Sequence, residues 1–296
     1  MASPQAHLAA MMVRYQVKRR LGGGKADLAR TKAVFESVSV PAPGGVRFRA
    51  DALGGVPGEW AEAAAGAPAA RATLLYLHGG GFIACSARTH RPITGWFALH
   101  GFRVFAPDYR LAPEHPFPAA LDDARAAWRA LRDQVEGRAV VAGDSAGGNL
   151  ALALMLALRD AGAALPDAAA LFSPATDLAG TGASIQGNSR RDAMFAAADL
   201  APLGAAYLAG ADPLAPLASP LYADLAGLPP LLIHVGEREV LRDDSTRLAE
   251  RARGAGVRVE LKVWPVVPHV WQFAHATVPE ARQSLAAAAE FLLRAA

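Results

Sequence analysis

The sequence is poor in cysteine, in unbalanced charge and in long apolar runs. Its single cysteine, Cys85, excludes an internal disulfide and favours a reducing compartment. No histidine motif surrounds Cys85, so we interpret it as a packed side chain rather than a nucleophile. The net charge is only +3, and the densest basic stretch, RYQVKRR, alternates with apolar residues as one face of a helix does. We therefore expect no nucleic-acid partner.

No apolar run reaches the roughly 18 residues that a membrane span requires. The longest, LALALMLAL at residues 150–158, has the length of a core helix. The first residues, MASPQAHLAAMMVR, have no basic region before their short apolar stretch, unlike a secretory signal. We expect a cytoplasmic protein without a membrane span. Its 296 residues, 52% hydrophobic and 19% charged, suffice for a large core in one or two domains.

Strand-length apolar runs alternate with helical segments along most of the chain. The runs are TLLYL (73–77), RVFA (103–106), AVVA (139–142), AAALF (168–172), PLLIHV (230–235) and VRVELKV (257–263). Helical spacing lies between them, as in FPAALDDARAAWRALRDQ and NLALALMLALRDAG. Nearly continuous apolar strands that alternate with helices predict a mostly parallel sheet covered on both faces.

Residues 1–33 show helical spacing, interrupted by LGGGK. No strand precedes this glycine run and no Ser or Thr follows Lys25, so we interpret it as a helix-to-helix turn rather than a phosphate loop. From Val34 the apolar period approaches two, in VFESVSV and VRFRADA, with PAPGG between them. This pattern predicts two antiparallel strands that open the sheet.

Residues 180–225 place helical material between two sheet strands without a strand of their own. We predict that this insertion and residues 1–33 form a helical cap over the carboxyl ends of the strands, where open α/β sheets bind ligands. Residues 34–179 and 226–296 then form the main α/β domain, which carries the chemistry.

The candidate nucleophile is Ser145. Strand AVVA runs into GDSAGG (143–148), and a long helix follows. Strand, G-x-S-x-G and helix in this order are typical of a nucleophile elbow, whose glycines permit a strained turn that exposes the serine. Because both flanking elements are present, we favour a catalytic role for Ser145 over a simple loop.

Candidate oxyanion donors lie in two places. The amide of Ala146 opens the helix after the serine, where backbone N–H groups and the helix dipole favour negative charge. HGGGF (78–82) follows strand TLLYL, and bare glycine backbone there can approach a substrate carbonyl. The favoured donors in this loop are the backbone amides of Gly79 and Gly80, and Gly81 is the third candidate. We expect His78 to anchor the loop.

Together these motifs resemble the hormone-sensitive lipase-like branch of the α/β-hydrolase fold, the bacterial carboxylesterases with an HGGG oxyanion loop. HGGGF, DYRLAPEHPFPAAL (108–121), GDSAGG, SPATDL (173–178), PPLLIHVG and a terminal histidine before a helix occur in the family's order over roughly residues 35–293. The resemblance implies an α/β-hydrolase fold with a central sheet of about eight strands, a helical cap, and no metal or organic cofactor. Glu114 and His115 are structural in that family.

The general base is expected after the nucleophile and after the acid, because the fold carries them in that chain order. Of the later histidines, His234 sits in an apolar strand and His275 at a predicted helix start on the surface, whereas His269 lies on a Pro-bounded loop. We therefore predict His269 as the base. Relatives commonly have Gly after this histidine, and Val270 follows it here. The family pattern therefore does not predict the local backbone conformation.

The acid is assigned by family position. In the family pattern a carboxylate, usually Asp, stands three residues after the glycine that ends the strand, and this position holds Glu239. Asp243 and Asp244 suit the N-cap and first turn of the next helix. Glu237 is expected to be solvated. Asp177, after an earlier strand, is the alternative acid, as in some hydrolases of this fold.

The resemblance implies hydrolysis of short- to medium-chain carboxylic esters, with a small-molecule ester as substrate. Ser145 attacks the acyl carbon, His269 transfers the proton and Glu239 orients the imidazole. One alternative keeps this triad for amides or lactones. Another is a non-catalytic ligand-binding protein, as in the similar plant gibberellin receptors, which lack the catalytic histidine. An exposed edge strand at VRVELKV would support a homodimer.

Overall fold

The computed structural model describes residues 2–25 and 27–294, which form one sheet surrounded by helices. The strands are β1 (Val46–Leu53), β2 (Val56–Ala63), β3 (Ala72–Leu77), β4 (Phe102–Pro107), β5 (Ala139–Asp144), β6 (Ala169–Phe172), β7 (Leu231–Gly236) and β8 (Val259–Trp264). The α-helices are α1 (Pro4–Val13), α2 (Arg19–Leu21), α3 (Leu28–Glu36), α4 (Arg91–Leu99), α5 (Ala119–Gln134), α6 (Ala146–Asp160), α7 (Ala183–Gly187), α8 (Leu200–Leu208), α9 (Arg242–Gly254) and α10 (Pro279–Arg294). A π-helical stretch, Arg14–Lys18, joins α1 to α2.

The strand order across the sheet is β1-β2-β4-β3-β5-β6-β7-β8. The pairs β1–β2 and β2–β4 are antiparallel, and the pairs from β4 through β8 are parallel. The eight-stranded, mostly parallel sheet expected from the sequence is confirmed. Since β3, β5, β6, β7 and β8 run in one direction, the loops after them meet at a single edge of the sheet.

Both faces of the sheet are covered, as the apolar strands predict. Alternate residues of β3 show this division, because side chains of a strand point to opposite faces. Leu75 and Leu77 belong to the buried cluster that includes α5 and α6, whereas Leu74 and Tyr76 belong to the cluster that includes α4 and α10. A strand buried on both sides can therefore hold the loops at its end firmly in place.

The start of the sheet differs from the expectation. VFESVSV is not a strand: its first residues belong to α3, in which Thr31, Val34 and Phe35 are buried at helical spacing. The partner of VRFRADA is the later segment β2, and Gly54 and Gly55, with φ of 58° and 81°, form the two-residue hairpin turn between them. A Gly-Gly pair between apolar residues is the signal that predicts such a hairpin.

The N-terminal helices pack against the insertion. A shared buried cluster contains Val17, Leu21, Val34, Phe35, Phe195, Leu203, Val240 and Leu241. LGGGK does form a turn between α2 and α3, as expected, and RYQVKRR is helical. The predicted boundary after residue 33 falls inside α3, so the helical part runs to Glu36. The division into cap and catalytic domain remains a prediction.

Two further features concern surfaces. Strand β8 lies at one edge of the sheet, and Glu260, Lys262 and Val263 on it are exposed. Among the helices of the described residues, none combines the length and the apolar character that crossing a bilayer demands.

Candidate active site

Ser145 occupies a strained turn between β5 and α6. Its φ of 53° and ψ of −120° lie outside the regions that L-residues ordinarily adopt. The turn is held by the hydrogen bond from the Ser145 amide to the carbonyl of Phe172, at 2.8 Å. Glycine is required on either side: a Cβ at Gly143 would overlap the carbonyl of Gly147, and one at Gly147 would overlap the carbonyl of Leu77. This is the geometry of a nucleophile elbow.

Glu239 is buried in the loop between β7 and α9, with 1% of its surface exposed. Its Oε1 accepts hydrogen bonds from the Ser173 hydroxyl at 2.8 Å and from the Gly236 amide at 2.5 Å. Its Oε2 lies 2.6 Å from Nδ1 of His269. Burial raises the pKa of Glu239, and the hydrogen bond from His269 opposes that rise. Three donors around one carboxylate fix its orientation and favour its ionised form.

His269 lies on the loop after β8 and is also buried. Its Nδ1 is bonded to Glu239, which leaves Nε2 as the atom available to a reacting proton. Burial alone lowers the pKa of His269, but the hydrogen bond and the negative charge of Glu239 outweigh it, so this pKa is raised above the ordinary 6.5. The ring of Phe195 packs edge-on against the imidazole, with centroids 5.2 Å apart.

Ser145 and His269 line the same cavity, together with Gly80, Gly81 and Ala146. Within the described part of the chain, Nε2 of His269 has no hydrogen-bond partner, so it is not bonded to the Ser145 hydroxyl. Such bonds are often long in the absence of substrate. The structure therefore joins the predicted acid to the predicted base and places the predicted nucleophile on the cavity that the base faces.

The glycine loop differs in one respect from the expectation. The amide of Gly79 already donates to Oδ1 of Asp144 at 3.2 Å and to His90 at 3.3 Å, so it is not available as an oxyanion donor. The structure therefore supports Gly80 but not Gly79 of the two favoured donors, and sequence gives no sign of this internal bond. Among the described residues, the amides of Gly80, Gly81 and Ala146 have no hydrogen-bond partner.

Asp144 supports this loop, and sequence reasoning did not identify it. Its buried carboxylate accepts a 2.8 Å hydrogen bond from the Tyr76 hydroxyl and lies 3.3 Å from Nε2 of His90. Burial raises the pKa of Asp144, but His90 and Tyr76 outweigh burial, and the pKa is lowered overall. A Cβ at Gly79 would overlap this carboxylate. Asp144, the residue before the serine in G-x-S-x-G, thus connects the elbow to the glycine loop.

Comparison with known proteins identifies the family. A family model described as alpha/beta hydrolase fold matches residues 74–273. The chain is 42% identical over 300 residues to an acetyl-hydrolase of Streptomyces hygroscopicus, covering 99% of this chain and 97% of that protein. It is 39% identical over 250 residues to an esterase of Acinetobacter venetianus, covering 83% and 82%. A solved esterase of the bacterial hormone-sensitive lipase family matches with a TM-score of 0.90 and 40% identity, covering 100% of this chain and 99% of that one.

The chain belongs to the bacterial hormone-sensitive lipase family of α/β hydrolases. Two of the motifs that carried the resemblance, HGGGF and GDSAGG, lie inside the matched segment. The expected fold and family are therefore confirmed.

In this member of the hormone-sensitive lipase family, the carboxylates that compete with Glu239 for the role of the acid form other contacts. Asp243 and Asp244 lie in the first turn of α9 as expected, but neither caps it: the N-cap is Leu241, without a side-chain hydrogen bond. Oδ2 of Asp243 accepts from the Ser184 amide at 2.8 Å. Asp177 pairs with Arg247 at 2.9 Å. Glu237 is exposed. Within the described residues, only Glu239 among these contacts His269.

Three other histidines have structural partners. His234 is buried in β7 and bonded to the Ser284 hydroxyl at 2.8 Å, as expected for a core residue. His78 contacts the carbonyl of Gly79 at 2.7 Å, and burial lowers the pKa of His78 to about 3, consistent with an anchoring role. His275 is half-buried with Nε2 3.1 Å from the Pro92 carbonyl, so its expected surface position was wrong. Glu114 and His115 are exposed.

The cavity has a volume of about 830 Å³ and mostly apolar walls. The N-terminal helices contribute Met12, Val13 and Val17. The insertion contributes Ile185, Phe195 and Leu203. A space of this size with a few polar groups at one end suits a small apolar molecule.

Proposed function

We propose that this protein is a serine carboxylesterase that hydrolyses short- to medium-chain esters of small molecules. One observation carries the proposal: the Ser145 elbow opens on the same apolar cavity as the buried His269–Glu239 pair, whose Nδ1–Oε2 distance is 2.6 Å. The family relatives named acetyl-hydrolase and esterase support the same reaction class.

In the first half of the reaction the Ser145 hydroxyl attacks the ester carbonyl carbon while Nε2 of His269 takes its proton. The carbonyl oxygen becomes an oxyanion, which the free amides of Gly80, Gly81 and Ala146 stabilise by hydrogen bonds. Glu239 holds Nδ1–H and stabilises the imidazolium. Protonated His269 then gives its proton to the departing alkoxide, which leaves an acyl group on Ser145.

In the second half a water molecule attacks the acyl carbon, again with His269 as general base. The new tetrahedral intermediate uses the same amides. Its collapse releases the carboxylic acid and returns the proton to the Ser145 oxygen. Each half of the reaction begins with a neutral imidazole that accepts a proton at Nε2, so a raised pKa of His269 places the acidic limb of the activity profile above pH 6.5.

We further propose that residues 2–36 and the insertion act as a cap. Support comes from their shared apolar cluster and from their contribution to the cavity wall. We also propose a cytoplasmic location, supported by the single cysteine. A homodimer joined through the exposed edge of β8 is a further proposal, and sedimentation equilibrium of the purified chain tests it.

The function is tested with p-nitrophenyl esters of increasing acyl length and the variant Ser145→Ala. We expect hydrolysis by the wild type and a loss on the order of 10⁶ in kcat for the variant, by analogy with another serine hydrolase. An organophosphonate should label the wild type once, at Ser145. Equal ester turnover in Ser145→Ala, or a wild type that takes up the label but hydrolyses none of the esters before labelling, would contradict the proposal. A matched amide substrate separates an esterase from an amidase.

A further inference from the structure

Lys18 makes an unusual set of contacts at the end of the π-helical stretch. Its ammonium donates to the carbonyl oxygens of Ser189 at 2.6 Å, Asp192 at 2.7 Å and Phe195 at 2.9 Å. An ammonium has three N–H donors, and all three are used here on one turn of the insertion. Burial lowers the pKa of Lys18, and the charge of Asp192 opposes this effect.

Arg14, one turn earlier, binds the same segment. Its Nη2 lies 3.0 Å from the carbonyls of Arg190 and Arg191 and 3.1 Å from that of Asp192. Two cations of the N-terminal helices therefore hold the carbonyl groups of residues 189–195. Backbone carbonyls that converge in this way repel one another unless a positive charge lies between them.

The held segment presents Asp192 to the loop that carries the acid. Asp192 is 1% exposed, and its Oδ2 accepts a 2.7 Å hydrogen bond from the amide of Val240, the residue after Glu239. Its Oδ1 accepts from the amides of Met194 at 2.6 Å and Phe195 at 3.0 Å. One carboxylate thus ties the turn of the insertion to the backbone beside Glu239.

The same segment reaches the base. The amide of Phe195 donates a hydrogen bond to Asp192, its carbonyl accepts one from Lys18, and its ring packs against His269. Asn188, just before the segment, donates to the carbonyl of Glu239 at 2.9 Å. Contacts from the insertion therefore reach both members of the acid–base pair, although none of these contacts involves the reacting atoms.

We propose that Lys18 and Asp192 are positioning residues: the Lys18 ammonium fixes the turn at residues 189–195, and through Asp192 and Phe195 this turn sets the geometry of Glu239 and His269. The inference rests on the proposed esterase function. It makes the N-terminal helices part of the catalytic geometry and not only a wall of the cavity.

The first test compares Lys18→Met with Lys25→Met, a control on an exposed lysine of the neighbouring turn. We expect Lys18→Met to lower kcat for p-nitrophenyl butyrate at least about tenfold, because small misplacements of catalytic groups are costly. KM should change less than about threefold, and Lys18→Arg should restore part of kcat. If the wild type is active and Lys18→Met has the same kcat as Lys25→Met, the inference is wrong while the proposed function stands. An inactive wild type overturns the proposed function instead.

The second test uses Asp192→Asn and the pH profile of kcat/KM, and it remains informative if Lys18→Met fails to fold. The negative groups acting on His269 are Glu239, Asp192 and Asp144, and each raises its pKa. Loss of the Asp192 charge should therefore move the acidic limb to lower pH and reduce kcat. A merely structural residue would change neither when the variant remains folded. An unshifted limb with unchanged kcat in folded Asp192→Asn overturns the inference.

Discussion

At the scale of single residues, Val270 shows how the site departs from its family pattern. Sequence comparison noted Val where relatives commonly have Gly, and the structure places Val270 in the left-handed region, with φ of 49° and ψ of 48°. For a β-branched residue this conformation is strained, at a cost of about 1–2 kcal/mol. Val270 is also buried, at 6% exposure, so its packing offsets part of the strain. Val270 therefore adopts the left-handed backbone conformation that glycine favours.

This strain predicts an inverted order of stability for two small substitutions. Val270→Gly and Val270→Ala both remove the buried isopropyl group, but only Gly removes the left-handed strain. We expect Val270→Gly to be more stable than Val270→Ala by about 0.5–1 kcal/mol in urea unfolding, although Gly is ordinarily the worse residue by a similar amount. Ala as the more stable variant would show that the loop is not held at this φ.

Most of the candidate site could be predicted from sequence because its residues sit in local motifs. Ser145, Ala146 and the glycine loop follow strands directly, and chain order points to His269. Their supports could not be predicted in this way. Ser173 and Asp192 contact Glu239 or its neighbour from segments 66 and 48 residues away, and such pairings follow only from the folded topology. The internal hydrogen bond of the Gly79 amide could not be predicted from the sequence for the same reason.

At the scale of secondary-structure elements, the loop before α9 and the first turn of α9 do different work. Glu239, in the loop, contacts His269, whereas Asp243, in the helix, binds Arg242 and the Ser184 amide. The four carboxylates within residues 237–244 are therefore divided by the start of α9: two precede the helix and two lie in its first turn. The two pairs contact different parts of the molecule.

This separation is tested by two isosteric amides. Glu239→Gln keeps a hydrogen-bonding side chain but removes the charge that orients the imidazole, so kcat should fall about 10³–10⁴-fold with the fold intact, by analogy with serine proteases. Asp243→Asn should leave kcat within about threefold and lower stability by about 1 kcal/mol. Circular dichroism and ester turnover measure both effects. The reverse pattern would assign the acid to the wrong carboxylate.

The elements themselves were predicted where the apolar pattern is strong. The parallel strands from β3 to β8 are buried on both faces except at the edge, and their runs are continuous. The first strands were harder: Pro57 and Gly58 interrupt the pattern of β2, and Gly58 is needed because a Cβ there would overlap the carbonyl of Ala106. In α3, the period of VFESVSV is compatible with a strand, and packing against the insertion decides for helix.

At the scale of the whole molecule, a buried carboxylate couples stability to pH. Asp244 is fully buried, and its Oδ2 accepts from the amides of Thr176 at 2.7 Å and Asp177 at 2.9 Å. Its Oδ1 has no partner among the described residues. Burial and the charge of Asp177 raise the pKa of Asp244 to about 8, while Arg247 opposes them. The protonated form is therefore the one that the fold prefers.

An acid with a raised pKa binds its proton more tightly in the folded chain than in the unfolded chain. The free energy of unfolding should therefore fall as pH rises from about 3.8, the ordinary pKa, to about 8, the pKa in the folded chain. Asp244→Asn stays neutral and keeps an acceptor for both amides. We expect its advantage over the wild type to grow by about 1 kcal/mol or more between pH 5 and pH 9, measured by urea unfolding.

Asp243→Asn is the matched control, because the pKa of Asp243 is lowered rather than raised, although burial opposes that shift. The stability that the Asp243 carboxylate contributes is present above its unfolded pKa and is lost only in acid, so the deficit of Asp243→Asn should stay constant from pH 5 to about pH 9. A difference between Asp244→Asn and the wild type that is equally flat over this range would mean that Asp244 is ionised throughout, held by the two amides and Arg247. If the difference grows with pH, Asp244 is protonated at low pH and loses its proton as the pH rises. The buried proton then lies at the junction of α9 and the loop after β6.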